Sequence, residues 1–268
     1  MADYHVMGTT TDHQLAIDIG NSAIKAAVFL DGELIGPVSR FTDQEWDVAD
    51  RLVTNHGVKN IIYSTVANVP PTKWTDKWNT DQLTVLALGP NLALPFASNY
   101  ETMETLGQDR IAVVAGSIAL QPSFAPASAP EKAPARLIVD AGTCMTLDLI
   151  DGTQTYLGGN ISPGMRMRLQ AMHHFTARLP FPEPALTLGR VGTSTEKALR
   201  HGGQMGLVYE VEGLYHRLLI DFPELQLLLT GGDAGWLAEK LSVPFSVYPN
   251  LVLRGLNQIL SYYVQNES

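Results

Sequence analysis

Cysteine is nearly absent: Cys144 is the single one in 268 residues. An internal disulfide framework is excluded, and a reducing compartment is the expected setting. Positive charge is also short, with 18 Lys and Arg against 27 Asp and Glu and a formal net charge of −9. A broad nucleic-acid surface needs a basic field, so nucleic acid is not an expected partner. The same deficit means that a phosphate ligand must be held by local amides and cations. No apolar run approaches the ~20 residues of a membrane span, so no membrane partner is expected. The phosphate-loop pattern Gly-x-x-x-x-Gly-Lys-Ser/Thr does not occur. Nor do the histidines form a metal pattern: His173 and His174, adjacent on a helix, point in different directions and read as surface or interface residues. Met1–His13 is polar and lacks the apolar centre of a signal peptide. Residues 1–14 are expected to be a disordered extension, and the expected location is the cytoplasm.

What remains is an ordinary globular composition, 45% apolar and 17% charged, in a chain long enough for two modest domains. Its most informative feature is a repeat. Leu15-Ala-Ile-Asp-Ile-Gly-Asn-Ser22 and Leu137-Ile-Val-Asp-Ala-Gly-Thr-Cys-Met-Thr146 are both apolar runs ending in Asp-x-Gly and a small polar residue. Each then re-enters an apolar stretch, as strand, tight turn, strand. Glycine lets the backbone approach a ligand, and the adjoining amides with Asn, Ser or Thr can hold phosphate oxygens. The Asp at each strand end is placed to meet a cation. A duplicated phosphate hairpin implies two similar lobes sharing one nucleotide.

Elements alternate around these hairpins. Residues 15–30 predict a hairpin and Leu34–Val38 a third strand; Asp43–His56 predicts a helix stopped at Gly57. Ile61–Val66 and Leu83–Leu88 predict strands, and Ile111–Leu120 an apolar helix, which together indicate α/β organisation. Residues 122–136 hold four Pro and five Ala without apolar periodicity and read as a linker. The expected domains are therefore 15–121 and 137–268. In the second, Gln204–Ile220 and Leu251–Val264 predict amphipathic helices whose apolar stripes serve core or interface packing.

Five segments in order, Asp18-Ile-Gly-Asn-Ser-Ala-Ile-Lys25, Gly107-Gln-Asp-Arg110, Asp140-Ala-Gly-Thr143, Gly158-Gly-Asn-Ile-Ser-Pro-Gly164 and Thr230-Gly-Gly-Asp-Ala234, resemble the motifs of type III pantothenate kinases. The resemblance runs from about Leu15 to Leu256. It implies an α/β fold of two ribonuclease-H-like lobes, as in actin, sugar kinases and Hsp70, with the nucleotide cleft between them. It also implies ATP-dependent phosphorylation of pantothenate, the first step toward coenzyme A.

The roles that follow from the resemblance can be checked against the chemistry of phosphoryl transfer, which needs positioning, neutralised phosphate charge and an oriented hydroxyl. Asp18, Ile19, Gly20, Asn21, Ser22, Ala23, Ile24 and Lys25 form the first ATP segment, with Asp18 facing the Mg²⁺–phosphate region. Lys25 either adds positive charge or is a solvated strand residue. Thr143 is the second ATP contact, and Asp140 the ligand of a monovalent cation, K⁺ or NH₄⁺. Asp109 reads locally as a helix N-cap; the resemblance makes it the base that takes or orients the acceptor hydroxyl proton. A carboxylate is a weak base for an alcohol, so positioning matters more than basicity. Arg110 offers a planar fork for the carboxylate of pantothenate, and Tyr100, Gly107 and Gln108 complete the acceptor side. Met103 stands where the family has proline, which predicts a less rigid entry loop. Cys144 stands where the family usually has alanine and reads as a small buried residue. Thr195 looks locally like a helix cap; the resemblance implies that it reaches the pantothenate pocket of a neighbouring subunit, making a homodimer. Two other readings stay open: a kinase of the same superfamily acting on a sugar or another small alcohol, and a non-catalytic accessory regulator.

Overall fold

The computed structural model describes residues 12–20, 23–65, 72–78, 80, 83–120 and 133–267. The chain forms two units, changing from the first to the second between Phe124 and Ala125 and back between Asn250 and Leu251.

The first unit begins with β1 (Gln14–Ile19), β2 (Ile24–Leu30) and β3 (Glu33–Phe41), followed by α1 (Asp47–His56), β4 (Asn60–Thr65), α2 (Thr72–Trp78), β5 (Thr84–Ala87), the two-residue β6 (Ala97–Ser98) and α3 (Gln108–Ala119). Its five-stranded sheet has the order β3-β2-β1-β4-β5. The β1–β2 and β2–β3 pairs are antiparallel, whereas β4 and β5 add in parallel. Strand period 2 divides β1 between two faces. Leu15, Ile17 and Ile19 enter a core with Ala26, Val28, Ile61 and the aromatic group Phe41, Trp46, Trp74 and Trp78. Gln14, Ala16 and Asp18 face the other way. The first helix starts at Asp47, later than the expected Asp43, because Thr42 and Glu45 close a turn in which both the Thr42 N–H and hydroxyl donate to Glu45 Oε2. Its stop is as expected: Gly57 takes the left-handed conformation at φ 59°.

The second unit contains β7 (Arg136–Ala141), β8 (Cys144–Ile150), β9 (Thr155–Pro163), α4 (Met165–His174), α5 (Thr195–Arg200), α6 (Gly206–Leu218), β10 (Gln226–Thr230), α7 (Ala234–Ala238) and β11 (Ser246–Val247). Its strands run β11-β10-β7-β8-β9, with β8 antiparallel to β7 and β9, and β10 parallel to β7 and β11. The pattern repeats that of the first unit strand for strand. Leu137, Val139, Met145, Leu147, Leu227 and Leu229 fill its core with Val208, Val211 and Tyr215 of α6 and Leu237 of α7. The helix expected over Gln204–Ile220 is interrupted at its start: His201–Met205 is a π-helical turn, and α6 proper begins at Gly206.

The last helix, α8 (Leu251–Glu267), departs from the expected domain division. The sequence reading assigned 137–268 to one lobe, but residues after Asn250 belong to the first unit. An amphipathic stripe shows that a helix packs, not which sheet it covers; complementary surfaces decide that. Ser261 Oγ donates to Gln14 Oε1 at 2.9 Å, placing α8 on the Asp18 face of β1. Against α3 the two backbones touch: a Cβ on Gly116 would lie 2.6 Å from the Leu251 carbonyl oxygen, and one on Gly255 would overlap the Ala112 carbonyl. Gly255→Val should therefore destabilise the protein by about 3 kcal/mol, at the upper end of overpacking costs. Equilibrium urea unfolding measures this, and a wild-type midpoint would show that the two helices separate without penalty.

Candidate active site

In the first unit, the site is built at the carboxyl ends of parallel strands β1 and β4, where open α/β sheets place ligands. Asp18 is next to last in β1. Its antiparallel neighbour is Lys25 and its parallel neighbour Ser64. Ser64 Oγ donates to Asp18 Oδ1 at 3.2 Å. The N-terminus of α3 arrives at the same strand ends, where the Thr65 N–H donates to Gln108 Oε1 at 2.7 Å. One residue further, Asp109 lies close enough for its negative charge to act on Asp18. Burial pushes the Asp18 carboxyl above its ordinary pKa; Lys25 and the Ser64 hydrogen bond oppose the rise, while Asp109 reinforces it.

Asp109 is not the N-cap that its local sequence suggested. Gly107 holds that position, and Asp109 sits in the first turn with Oδ1 accepting the Arg110 N–H at 2.9 Å. A Cβ on Gly107 would come within 2.5 Å of that carboxylate oxygen, so the side chain folds over the cap only because residue 107 has none. Arg110 is buried, at 3% exposure, and its guanidinium lies over the Tyr100 ring, 5.6 Å from the centroid. The loop carrying Tyr100 is tied down despite Met103 in place of proline: the Tyr100 N–H donates to Ser98 Oγ, and Ser98 Oγ donates to Met103 Sδ.

The second unit repeats the placement with different neighbours. Asp140 is next to last in β7, beside Thr146 of β8 and Thr230 of β10. Where Asp18 faces Lys25, Asp140 faces a hydroxyl-bearing residue. Gly231, at φ 97°, brings its backbone so close that a Cβ would strike Asp140 Oδ1 and the Ala141 carbonyl. The Asp233 N–H donates to the Ala141 carbonyl at 2.9 Å, and burial raises the pKa of the Asp233 carboxyl. Thr143 is exposed at the hairpin turn, and its carbonyl accepts the Gly164 N–H at 3.1 Å.

The structure thus brings Asp18, Lys25, Gln108 and Asp109 to one end of the first sheet, and Tyr100 to Arg110. Ile19 and Ile24 are core residues at 7% and 4% exposure, leaving only backbone to a ligand. Gly20 and Ala23 close the hairpin through a 3.2 Å backbone bond. Asn21 and Ser22 lie outside the described residues. Thr195 opens α5 and is exposed; the cap is its predecessor Ser194, whose Oγ accepts the Lys197 N–H. Cys144 is exposed, not buried as expected, because it starts β8 at the turn. Sequence reasoning missed Ser64, which was detectable as a polar residue near the end of an apolar strand; Gly231 lies in the Thr230–Ala234 segment that the sequence singles out.

Since the folded Asp18 carboxyl holds its proton to higher pH than an unfolded one, ionising it costs native stability as pH rises above the ordinary carboxylate range. Asp18→Asn should therefore raise the melting temperature of the ligand-free protein at pH 7. The gain should shrink as pH falls toward ~4. Thermal unfolding at several pH values measures this, and a lower melting temperature at pH 7 would mean that the Lys25 and Ser64 contacts outweigh burial.

Both the sequence and the fold are similar to those of known proteins. Type III pantothenate kinase from Phocaeicola vulgatus is 38% identical over 250 residues, 92% of this chain and 98% of that protein. The activator of 2-hydroxyisocaproyl-CoA dehydratase from Clostridium difficile, solved with ADPNP, shares the fold at TM-score 0.52 and 12% identity, covering 96% of this chain and 98% of its own. A glucokinase from an Antarctic psychrotroph does so at 0.50 and 11%, covering 94% and 100%. The sequence model of one family, type III pantothenate kinase, matches residues 14–217. On that match and the relative's near-complete coverage, the chain belongs to the type III pantothenate kinase family.

Proposed function

We propose that this protein transfers the γ-phosphoryl group of ATP to the primary hydroxyl of pantothenate, giving 4'-phosphopantothenate for coenzyme A synthesis. The observation that carries the reading is the convergence of Asp18, Lys25 and Ser64 with the first turn of α3, which bears Asp109. Two carboxylates and one ammonium at strand ends suit a metal-bound polyphosphate beside an acceptor hydroxyl. Asp109, held over its glycine cap, orients the hydroxyl and receives its proton. Arg110, whose guanidinium lies over the Tyr100 ring, would hold the pantothenate carboxylate.

A divalent cation fits Asp18, whose buried charge is only partly offset by Lys25 and Ser64. Among the described residues no three Asp, Glu, His or Cys gather around one point, so phosphate oxygens would supply much of the coordination, as is usual for Mg²⁺. When bound, Mg²⁺ neutralises charge on the transferred phosphoryl group. Asp140, flanked by Thr146 and Thr230, suits a monovalent cation such as K⁺ or NH₄⁺. Thr143 contacts the nucleotide from its exposed turn.

A homodimer is part of the same reading. The second unit exposes Ile161, Phe175, Leu186, Val191 and Tyr209 at 55–82%, apolar surface that a second copy would cover. Thr195 would then complete the pantothenate pocket of the partner. No helix among the described residues is long and apolar enough to cross a membrane, and a cytoplasmic location fits an ATP-dependent enzyme with one thiol.

The test is ADP release with MgATP and pantothenate, with and without K⁺ or NH₄⁺. Turnover should depend on pantothenate and rise with the monovalent ion. Asp109→Asn should lower kcat by about 10³-fold, and Asp140→Asn should abolish the response to the ion. A hexose used in preference to pantothenate would overturn the acceptor assignment; full turnover in Asp109→Asn would overturn the role of that carboxylate.

A further inference from the structure

Arg168 lies in α4 and makes three connections with one guanidinium. Its Nε donates to the Pro163 carbonyl at 2.8 Å, a terminal nitrogen donates to Ser162 Oγ at 3.1 Å, and the same end pairs with Glu210 of α6. The Arg168 side chain is 19% exposed and that of Glu210 32%. Arg166, two residues earlier, pairs with Glu183 in the open at 62% and 64%. Exposed pairs contribute little, so the Arg168 network is the one with structural leverage.

That leverage falls on the hairpin turn. Ser162 and Pro163 pair across the sheet with Met145 and Cys144, the residues that leave the turn. Proline brings no N–H to the ladder, so the end of β9 depends on other ties. The next residue, Gly164, donates its N–H to the Thr143 carbonyl at 3.1 Å, and a Cβ there would lie 2.5 Å from that oxygen. Arg168 thus grips the carbonyl immediately before the residue that buttresses the turn. Glu210 orients the guanidinium from a helix whose neighbours Val208 and Val211 are buried in the core.

We propose that Arg168, oriented by Glu210, is a positioning residue that sets the Gly142-Thr143 turn for nucleotide binding. The inference rests on reading Thr143 as an ATP contact. Arginine is required because a lysine offers a point charge and cannot hold a carbonyl, a hydroxyl and a carboxylate in one plane. A displacement of about 1 Å at a positioned group can cost up to 10²-fold in rate. Here the effect should appear in nucleotide affinity, since the acceptor-side residues 100 and 107–110 lie in the first unit.

Isothermal calorimetry with MgADPNP and with pantothenate, alongside thermal unfolding, tests this. Arg168→Ala should weaken the nucleotide by about tenfold, as loss of a supporting contact does elsewhere, and leave pantothenate within about twofold. Arg168→Lys should fall between, and Glu210→Gln should shift affinity in the same direction by less. Nucleotide affinity unchanged in both Arg168 variants would overturn the inference, as would a parallel loss for both ligands with a falling melting temperature. Thr143→Ala separates the two levels. If it leaves nucleotide affinity intact, the ATP reading of the turn fails; if it weakens binding and the Arg168 variants do not, only the positioning role falls.

Discussion

The contact on which the candidate site depends is the close crossing of α3 and α8. Asp109 and Arg110 stand on the first turn of α3, so their placement is set by where that helix lies on the sheet. Glycines at 116 and 255 let the two backbones meet, and every residue of α3 from Arg110 to Ser117 is buried. At the helix start, the Thr65 N–H bond to Gln108 attaches α3 directly to the end of β4. One end is thus held by packing and the other by a hydrogen bond to the strand that also bears Ser64. This is how a carboxylate on a helix and another on a strand are kept near each other despite their repulsion. It also explains why the chain returns to its first unit to finish: without α8, the Asp18 face of β1 and one side of α3 would lose their cover.

Duplication of the sheet sharpens what differs between its copies. Asp18 and Asp140 occupy equivalent positions, next to last in the central strand, and each has a hydroxyl residue, Ser64 or Thr230, as parallel neighbour. The antiparallel neighbour is Lys25 in one case and Thr146 in the other. A lysine already supplies a positive charge to its carboxylate; a threonine supplies only oxygen. A single cross-strand difference thus changes what lies beside the carboxylate while the backbone repeats.

Much of this was legible in the sequence, because it depends on short-range chemistry. Asp-x-Gly after an apolar run specifies a strand and turn wherever it falls, and Gly57 stops a helix for reasons contained in one residue. The destination of α8 was not legible, since the fit of Gly255 against Ala112 joins residues far apart in the chain. The N-cap role first read into Asp109 failed for a local reason: the glycine before it leaves room for the carboxylate to fold back, so the cap moved to Gly107. Cys144 was misplaced because residue size and type say nothing of position: it opens β8 at the hairpin turn and is exposed there. The Asn21-Ser22 tip and most of the Pro/Ala-rich stretch lie outside the described residues.

An acidic protein that handles phosphates must have its positive charge where it acts, and the chain does so sparingly. Lys25 is tied to Asp18 by strand register, and Arg110 is buried beneath Tyr100, so neither spends its charge on the bulk surface. One lysine and one hydroxyl do not offset burial and the nearby Asp109, and the Asp18 carboxyl is left above its ordinary pKa. Removing that carboxylate would relieve the folded state, so the position is kept at a cost in stability that burial and the nearby Asp109 impose and that Lys25 and Ser64 only partly offset.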